Sequence, residues 1–479
     1  MTVAGGISRI ATLITTIRRE NDHPVIVLSS GDDLMGRYFH KFNGKAIYEL
    51  MEKSGYDIQA LGNHEFDRGP EILAQALEAN TPEILCTDLK TDDTPMEGRC
   101  KRYLITEYQG LKIAFFSLMT PDFPLVTRPG KVQLAATPTS MARKMVRLLR
   151  DKGADLVIAV THIGRDMDLQ TAARVKGIDI IFGGHSHDYE MHLQQRNNTL
   201  VVNGGQKGPA LVRLDVELDK KGRMIPSSGR YSLIPVMKEI PPDPEVKKVL
   251  KKYADQLPAA TILGRTDTVW DLTNHALRYR ESAVADMITD IIRKQFKVDI
   301  VLYNSGAFRG NSRYQPGPVT DVMLSDIDEF ESTVFLLKLK GDTIAQILEH
   351  SAAKIGTGAF LQVSGIRFTI DPKALPQILS GTTVRDSTVI QPGHRTTNIK
   401  ILSKDNKWVP LDLEKTYSVA ANDYLVQRGG DHYFWFKKYG RDIRNTYSTM
   451  GSIMTDFFLK NKIGGPGKPD GRIVFSNAP

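Results

Sequence analysis

Four short histidine- and acid-bearing motifs recur in the first half of the chain, each directly after a short apolar run. They are Gly31-Asp32-Asp33 after residues 25–28, Gly62-Asn63-His64-Glu65 after 58–61, Thr161-His162-Ile163-Gly164 after 156–160, and Gly183-Gly184-His185-Ser186-His187 after 178–182. The runs are rich in Val, Ile and Leu and bounded by glycine or polar residues, which predicts buried strands rather than helices. In open α/β sheets ligands collect beyond the carboxyl ends of the strands, and all four motifs fall there. Carboxylate, amide oxygen and imidazole, with no thiolate, suit hard or borderline divalent metal ions. A lone histidine after a strand is ordinarily a loop or core residue. Four such motifs in one chain point to a shared site.

The remaining features bound the kind of protein. At 479 residues the chain exceeds what one core usually supports, so two domains are expected. The boundary is marked by Ile240-Pro241-Pro242-Asp243-Pro244, a charged helical stretch to residue 257, and Pro258. This gives a first domain over residues 1–240, a linker helix over 241–257 and a second domain over 258–479. The net charge of +8 suits an anionic substrate, but the basic residues are scattered, which argues against a nucleic-acid stripe. No run of 18 apolar residues encodes a membrane span. Residues 10–17 are broken by Thr12, Thr15 and Thr16, so they read as an amphipathic helix rather than a signal-peptide core. Cys86 and Cys100 form either one disulfide or two buried thiols, and the sequence leaves both open.

The series GD, GNHE-x-D, THxG and GGHxH resembles that of the calcineurin-type metallophosphoesterases, and in detail the bacterial periplasmic 5'-nucleotidase and UDP-sugar hydrolase family. The resemblance implies two divalent metal ions, Mn²⁺, Zn²⁺, Co²⁺ or Fe²⁺. Asp32 would bridge them, Asn63, His162 and His185 would complete one site, and His187 would join Asp32 on the other. His64 and Asp67 match the family's catalytic pair, the imidazole acting on the phosphoryl group and the carboxylate orienting it. Asp33 is not a ligand in this alignment.

The second half carries further family-like segments. Glu281 opens a helical stretch to Phe296, followed by a strand at 299–303 and the loop Asn304-Ser305-Gly306-Ala307-Phe308-Arg309. Residues 358–365 resemble G-x-F-L-Q-V-x-G, and Gly429-Gly430-Asp431-His432-Tyr433 resembles GGDGY/F. By the match Phe360 and Tyr433 would sandwich a nucleobase, Arg309 would lie near ribose or phosphate, and Asn304, Gly430 and Asp431 would help line the pocket. Two departures stand out: His432 replaces a glycine, and residues 328–333, Asp-Glu-Phe-Glu-Ser-Thr, occupy the place of P-F-G-N. His23, His40, His192, His275, His350 and His394 have no motif around them and read as structural or solvated.

The implied fold is α/β with two domains: an N-terminal metallophosphoesterase β-sandwich flanked by helices, a linker helix, and a C-terminal α/β nucleotide-binding domain. The implied activity is metal-dependent hydrolysis of nucleotide phosphate esters, with nucleoside 5'-monophosphates foremost and UDP-sugars or 2',3'-cyclic nucleotides as further substrates. Alternatives are a sulfate-thiol hydrolase of the same superfamily and a nucleotide-binding protein with a decayed one-metal site. The retained His64 and Asp67 weigh against decay. The resemblance also implies a periplasmic or extracellular monomer or weak dimer that binds a nucleotide and no nucleic acid. Relatives begin with a strand ending in D-x-H, and Gly5-Gly6-Ile7-Ser8-Arg9 resembles the G-G-x-x-R that follows it. No D-x-H precedes it, so the second metal site is incomplete, and an upstream strand and signal peptide are expected in the natural chain.

Overall fold

The four apolar runs become short parallel strands in the first of two units, Met1–Pro258 and Ala259–Pro479. The computed structural model describes residues 3, 5–78, 82–380 and 387–476. In the first unit one sheet holds strands Leu28–Ser29, Ile58–Ala60 and Glu83–Leu85, all parallel. A second sheet runs Gln194–Arg196, Thr199–Asn203, Ile180–Gly183, Leu156–His162, Leu111–Met119, Leu104–Tyr108. Its four inner strands are parallel and an antiparallel strand closes each side.

Parallel strands must be covered on both faces, and the two-residue alternation of side chains shows how. Val157 and Ala159 join Met141, Met145 and Leu149 of helix Pro138–Asp151. Leu156, Ile158 and Val160 point the other way and pack with Ile58, Ala60 and Leu85 of the smaller sheet. The first unit is therefore the expected helix-flanked β-sandwich. Burying strand Leu156–His162 along its whole length fixes its register, because a slip of one residue would exchange its two faces.

The proline-flanked helix Pro244–Ala254 is capped by Asp243, whose carboxylate accepts the Val246 N–H at 2.9 Å. It docks on the first unit: Val246 packs with Ala11 and Leu50, and Lys252 and Tyr253 both reach Glu49. Cys86 and Cys100 are joined as a disulfide, which settles the alternative that the sequence left open.

The second unit is built on a five-stranded sheet in the order Leu361–Ser364, Ile300–Asn304, Thr416–Asn422, Thr333–Lys340, Arg441–Thr449. Val284, Ile288 and Ile292 of helix Ala283–Phe296 pack on one face with Val301 and Leu336. Ile344, Ile347 and Leu348 of helix Gly341–Ala353 pack on the other with Ile300, Leu302 and Leu337. Strand Ile300–Asn304 thus delivers Asn304 to the end of a sheet covered on both sides.

The disulfide closes a short loop beside the smaller sheet. Replacing both cysteines by serine is expected to lower the unfolding free energy by about 3 kcal/mol, the loop-closure contribution for a ring of about 15 residues. A fall in the urea midpoint would show it, and an unchanged midpoint would count against it.

Candidate functional site

The site begins where the first two strands of the smaller sheet end. Gly31 has φ +88°, and a Cβ there would run into the Gly62 backbone, so the two loops meet main chain to main chain. They are tied together by Glu65, which is fully buried. Its carboxylate accepts the N–H groups of Asp32, Asp33, Leu34 and Gly62 at 3.0, 2.7, 3.2 and 2.7 Å. Burial, with the charges of Asp32 and Asp33, pushes the Glu65 carboxyl up to about 7.

That cradle turns the two neighbouring aspartates in different directions. Asp33 faces inward and accepts from Gln59 at 2.7 Å and from Ser29. Burial raises its pKa. Asp32 faces the histidines: its Oδ2 lies 2.9 Å from His162 Nε2 and 3.9 Å from His64 Nε2, and its Oδ1 accepts the His64 N–H at 2.9 Å. Burial opposes ionisation of Asp32, but His162 and His64 overcome it and hold the carboxyl well below the usual range.

Asp32, His162 and His185 bring one ligand atom each within 4.8 Å of one another. His162 Nδ1 lies 2.6 Å from the Ser30 carbonyl, which fixes the ring so that Nε2 faces Asp32. Burial, reinforced by His162, pulls His185 down to about 4, so it stands neutral with a lone pair to offer. The His185 loop is held from helix Arg165–Arg174: Gly164 N donates to Gly184 O, and Arg165 N to Ser186 Oγ, both at 3.1 Å. Asn63 is buried, and its amide oxygen has no hydrogen-bond partner among the described residues. That orphaned oxygen, a low-pKa carboxylate and two imidazoles fit a divalent cation. His187, on the same loop, lies outside the three-residue group.

Beside these donors His64 Nδ1 sits 2.6 Å from Asp67 Oδ2. Asp67 is itself oriented by Thr127, whose hydroxyl donates to Oδ1 at 2.9 Å. Sequence reasoning missed Thr127, Ser30 and the bracing role of Glu65. Thr127 and Ser30 carry no local signal. Glu65 does sit next to His64, but its role depends on backbone groups more than 30 residues away.

In the second unit the polar candidates gather and the aromatic pair does not behave as expected. Asn304 Oδ1 accepts from Asn422 at 2.8 Å, its Nδ2 lies 3.5 Å from Asp431 Oδ2, and Tyr424 OH donates to Asp431 Oδ1 at 3.0 Å. At Gly430 a Cβ would strike the Tyr424 ring. Phe360 and Tyr433, expected to sandwich a base, are both fully buried in one apolar core. Tyr433 meets His350 edge-on at 4.7 Å and donates its hydroxyl to the Ala359 carbonyl at 2.8 Å. A base sandwich would need two open aromatic faces, whereas in this structure both rings are packed in the core.

Arg309 donates to Glu329 Oε2 at 3.2 Å and lies over the Phe330 ring at 5.0 Å. Arg278, which the sequence reading did not select, is a neighbouring cation. Burial and the Arg309 charge pull its pKa down to about 10, and its Nε has no hydrogen-bond partner among the described residues.

Sandwich and donor set together define a metallophosphoesterase. The calcineurin-like phosphoesterase family model matches residues 3–189, and the 5'-nucleotidase C-terminal domain model matches residues 262–438. The chain belongs to the 5'-nucleotidase family, which joins these two domains. It is 29% identical to the trifunctional nucleotide phosphoesterase protein YfkN of Bacillus subtilis over 91% of its own length, and spans 32% of that protein. It is 28% identical to the snake venom 5'-nucleotidase of Naja atra, covering 98% of this chain and 93% of that one. Among solved structures, the 5'-nucleotidase precursor from Thermus thermophilus superposes with a TM-score of 0.87 at 26% identity, covering 99% and 94% of the two chains. The calcineurin-like family uses divalent metal ions.

Because the Glu65 carboxylate holds the loop that carries Asp32, Glu65→Gln is expected to weaken Mn²⁺ binding by about 10–100-fold, the usual effect of losing a group that braces ligands. Titration calorimetry checks this, and wild-type affinity in the variant would refute it.

Proposed function

We propose that the chain hydrolyses phosphate esters of nucleotides, nucleoside 5'-monophosphates foremost, using two divalent metal ions. One observation carries the reading: the His64 imidazole, braced by Asp67, stands 3.9 Å from the Asp32 carboxylate that also meets His162. A proton-handling group and a cluster of metal donors are thus within reach of one phosphoryl group. Asp32, Asn63, His162 and His185 would hold one ion, and Asp32 with His187 would contribute to the other. Bound divalent ions would supply concentrated positive charge and a water acidified enough to attack phosphorus near neutral pH.

The chain's own residues do the rest. Asp67 and Thr127 fix the His64 ring, so that its Nε2 is positioned to donate a hydrogen bond or a proton to the phosphoryl oxygens or the leaving oxygen. Asn63 offers oxygen without adding a negative charge that would oppose the phosphate. In the second unit Asn304, Gly430 and Asp431 form a polar corner for the nucleoside, and Arg278 and Arg309 supply positive charge beside it. The bond from Glu329 to Arg309 partly neutralises that charge. The name of the Bacillus subtilis relative supports a range of nucleotide substrates.

We further place the protein in an oxidising compartment outside the cytoplasm. The reading is supported by the Cys86–Cys100 disulfide, since such bonds are rare where thiols are kept reduced, and by the venom relative. No described helix is long and apolar enough to cross a membrane.

The test is phosphate release from AMP by the EDTA-stripped protein after adding back Mn²⁺, Co²⁺ or Zn²⁺. Turnover is expected with at least one of them. In His64→Asn, kcat is expected to fall by about 10²–10⁴ while metal affinity is kept. AMP binding with no phosphate released under any metal would instead favour a binding protein with a decayed centre.

A further inference from the structure

The second unit contains an acidic cluster that the phosphoesterase reading does not use. Glu281 stands just before helix Ala283–Phe296, Asp286 lies in its first turn, and Asp470 comes from the segment leading into the last strand. The three bring one carboxylate oxygen each within 4.8 Å of one another. Their surroundings differ. Glu281 is satisfied by main chain, accepting N–H groups from Asp470 and Gly471 at Oε1, at 2.6 and 3.0 Å, and from Ile473 at Oε2, at 3.1 Å.

Arg472 is the cation nearest at hand, and its donors are already engaged. It grips Asp290 in a fork at 2.9 and 2.8 Å, reaches Asp470 Oδ1 from Nε at 3.0 Å, and donates to the Val363 carbonyl at 3.1 Å. It donates to the Asp286 main-chain carbonyl at 3.4 Å, but approaches the Asp286 carboxylate only as a 3.6 Å ion-pair contact. Asp286 is only 6% exposed, and neither of its carboxylate oxygens has a hydrogen-bond partner among the described residues. A second guanidinium, Arg367, reaches only the exposed Asp470, at 3.8 Å, so the buried oxygens of Asp286 are left without a hydrogen-bond donor among the described residues.

We propose that Glu281, Asp286 and Asp470 bind a calcium ion, in a structural site of the second unit. A buried carboxylate needs compensation for the water it gives up, and a hard cation supplies it. All donors here are oxygen, which selects against zinc and copper. The arrangement is irregular, and Asp470 is exposed, so a bound ion keeps room for several waters; this suits Ca²⁺, with its flexible coordination, better than Mg²⁺, which demands a near-ideal octahedron. Arg472 and the ion would share the charge of Asp470 and together fasten the segment before strand Ile473–Phe475 to the start of helix Ala283–Phe296. Without the ion, burial pushes the Asp286 carboxyl up to about 8 in spite of Arg472, and a proton takes the compensating role.

The experiment is calorimetric titration of Ca²⁺ into the EDTA-stripped full chain, paired with thermal melts, for wild type, Asp286→Asn and His185→Ala. The expected result is a Ca²⁺ site in wild type that survives His185→Ala and weakens at least about tenfold in Asp286→Asn, with the Ca²⁺-dependent rise in Tm lost in parallel. Hydrolysis of AMP by Asp286→Asn at the wild-type rate would show that the variant is folded. Equal Ca²⁺ binding by wild type and Asp286→Asn overturns the proposal. So does an absence of Ca²⁺ binding by wild type, which would leave the proton alone at Asp286. Neither outcome bears on the phosphoesterase centre, whose ligands lie in the first unit.

Discussion

A single buried carboxylate organises the phosphoesterase centre. Glu65 accepts four backbone N–H groups from two loops that the sequence separates by about thirty residues. Those donors would otherwise be buried at strand ends without partners, a cost comparable to the hydrogen bonds themselves. By pairing them, Glu65 lets the loop after strand Leu28–Ser29 leave the sheet in a conformation it would not adopt alone. Asp32 has φ 62°, in the left-handed region, and His185 and His187 at the other side of the site have φ 79° and 65°. Such backbone is uncommon for residues with a Cβ and persists where the surroundings over-determine it. The loops that carry the candidate metal donors are therefore held in position by the protein itself.

The same cradle sorts the charges. Three acids lie close together, and burial alone would make each of them reluctant to ionise. Only Asp32 faces the imidazoles, so only Asp32 is held firmly anionic, while Asp33 and Glu65 are raised. His185 stands neutral and His162 is oriented by the Ser30 carbonyl. Separation of ionisation behaviour among adjacent groups of one chemical kind leaves one carboxylate as the proposed metal donor and two for the scaffold.

The second unit repeats the theme of acids that must be satisfied, with different solutions. Glu329 is answered by Arg309, Glu281 by main-chain N–H groups, and Asp290 by the Arg472 fork. Asp286 has a 3.6 Å ion-pair contact with Arg472 but no hydrogen-bond donor among the described residues, which is where the proposed cation would sit. Meanwhile Phe360 and Tyr433 lie in the hydrophobic core, and the polar corner at the end of strand Ile300–Asn304, with two arginines beside it, is the proposed contact for a nucleotide.

Much of this was legible in sequence because it is local. A short β-branched run, a two-residue alternation and a ligand immediately after the run are all encoded within ten residues, and they placed Asp32, Asn63, His162 and His185 at strand ends. The pairing of His64 with Asp67 spans one helical turn and was legible for the same reason. What the tertiary structure alone decided depends on distant partners. These include whether Cys86 and Cys100 pair, whether Asp32 or Asp33 faces the histidines, how Glu65 is used, and whether two aromatic rings stay open or are drawn into a core. Residue type and spacing fix which groups can reach a strand end, but the direction of a side chain and its ionisation are set by neighbours that the chain brings together only on folding.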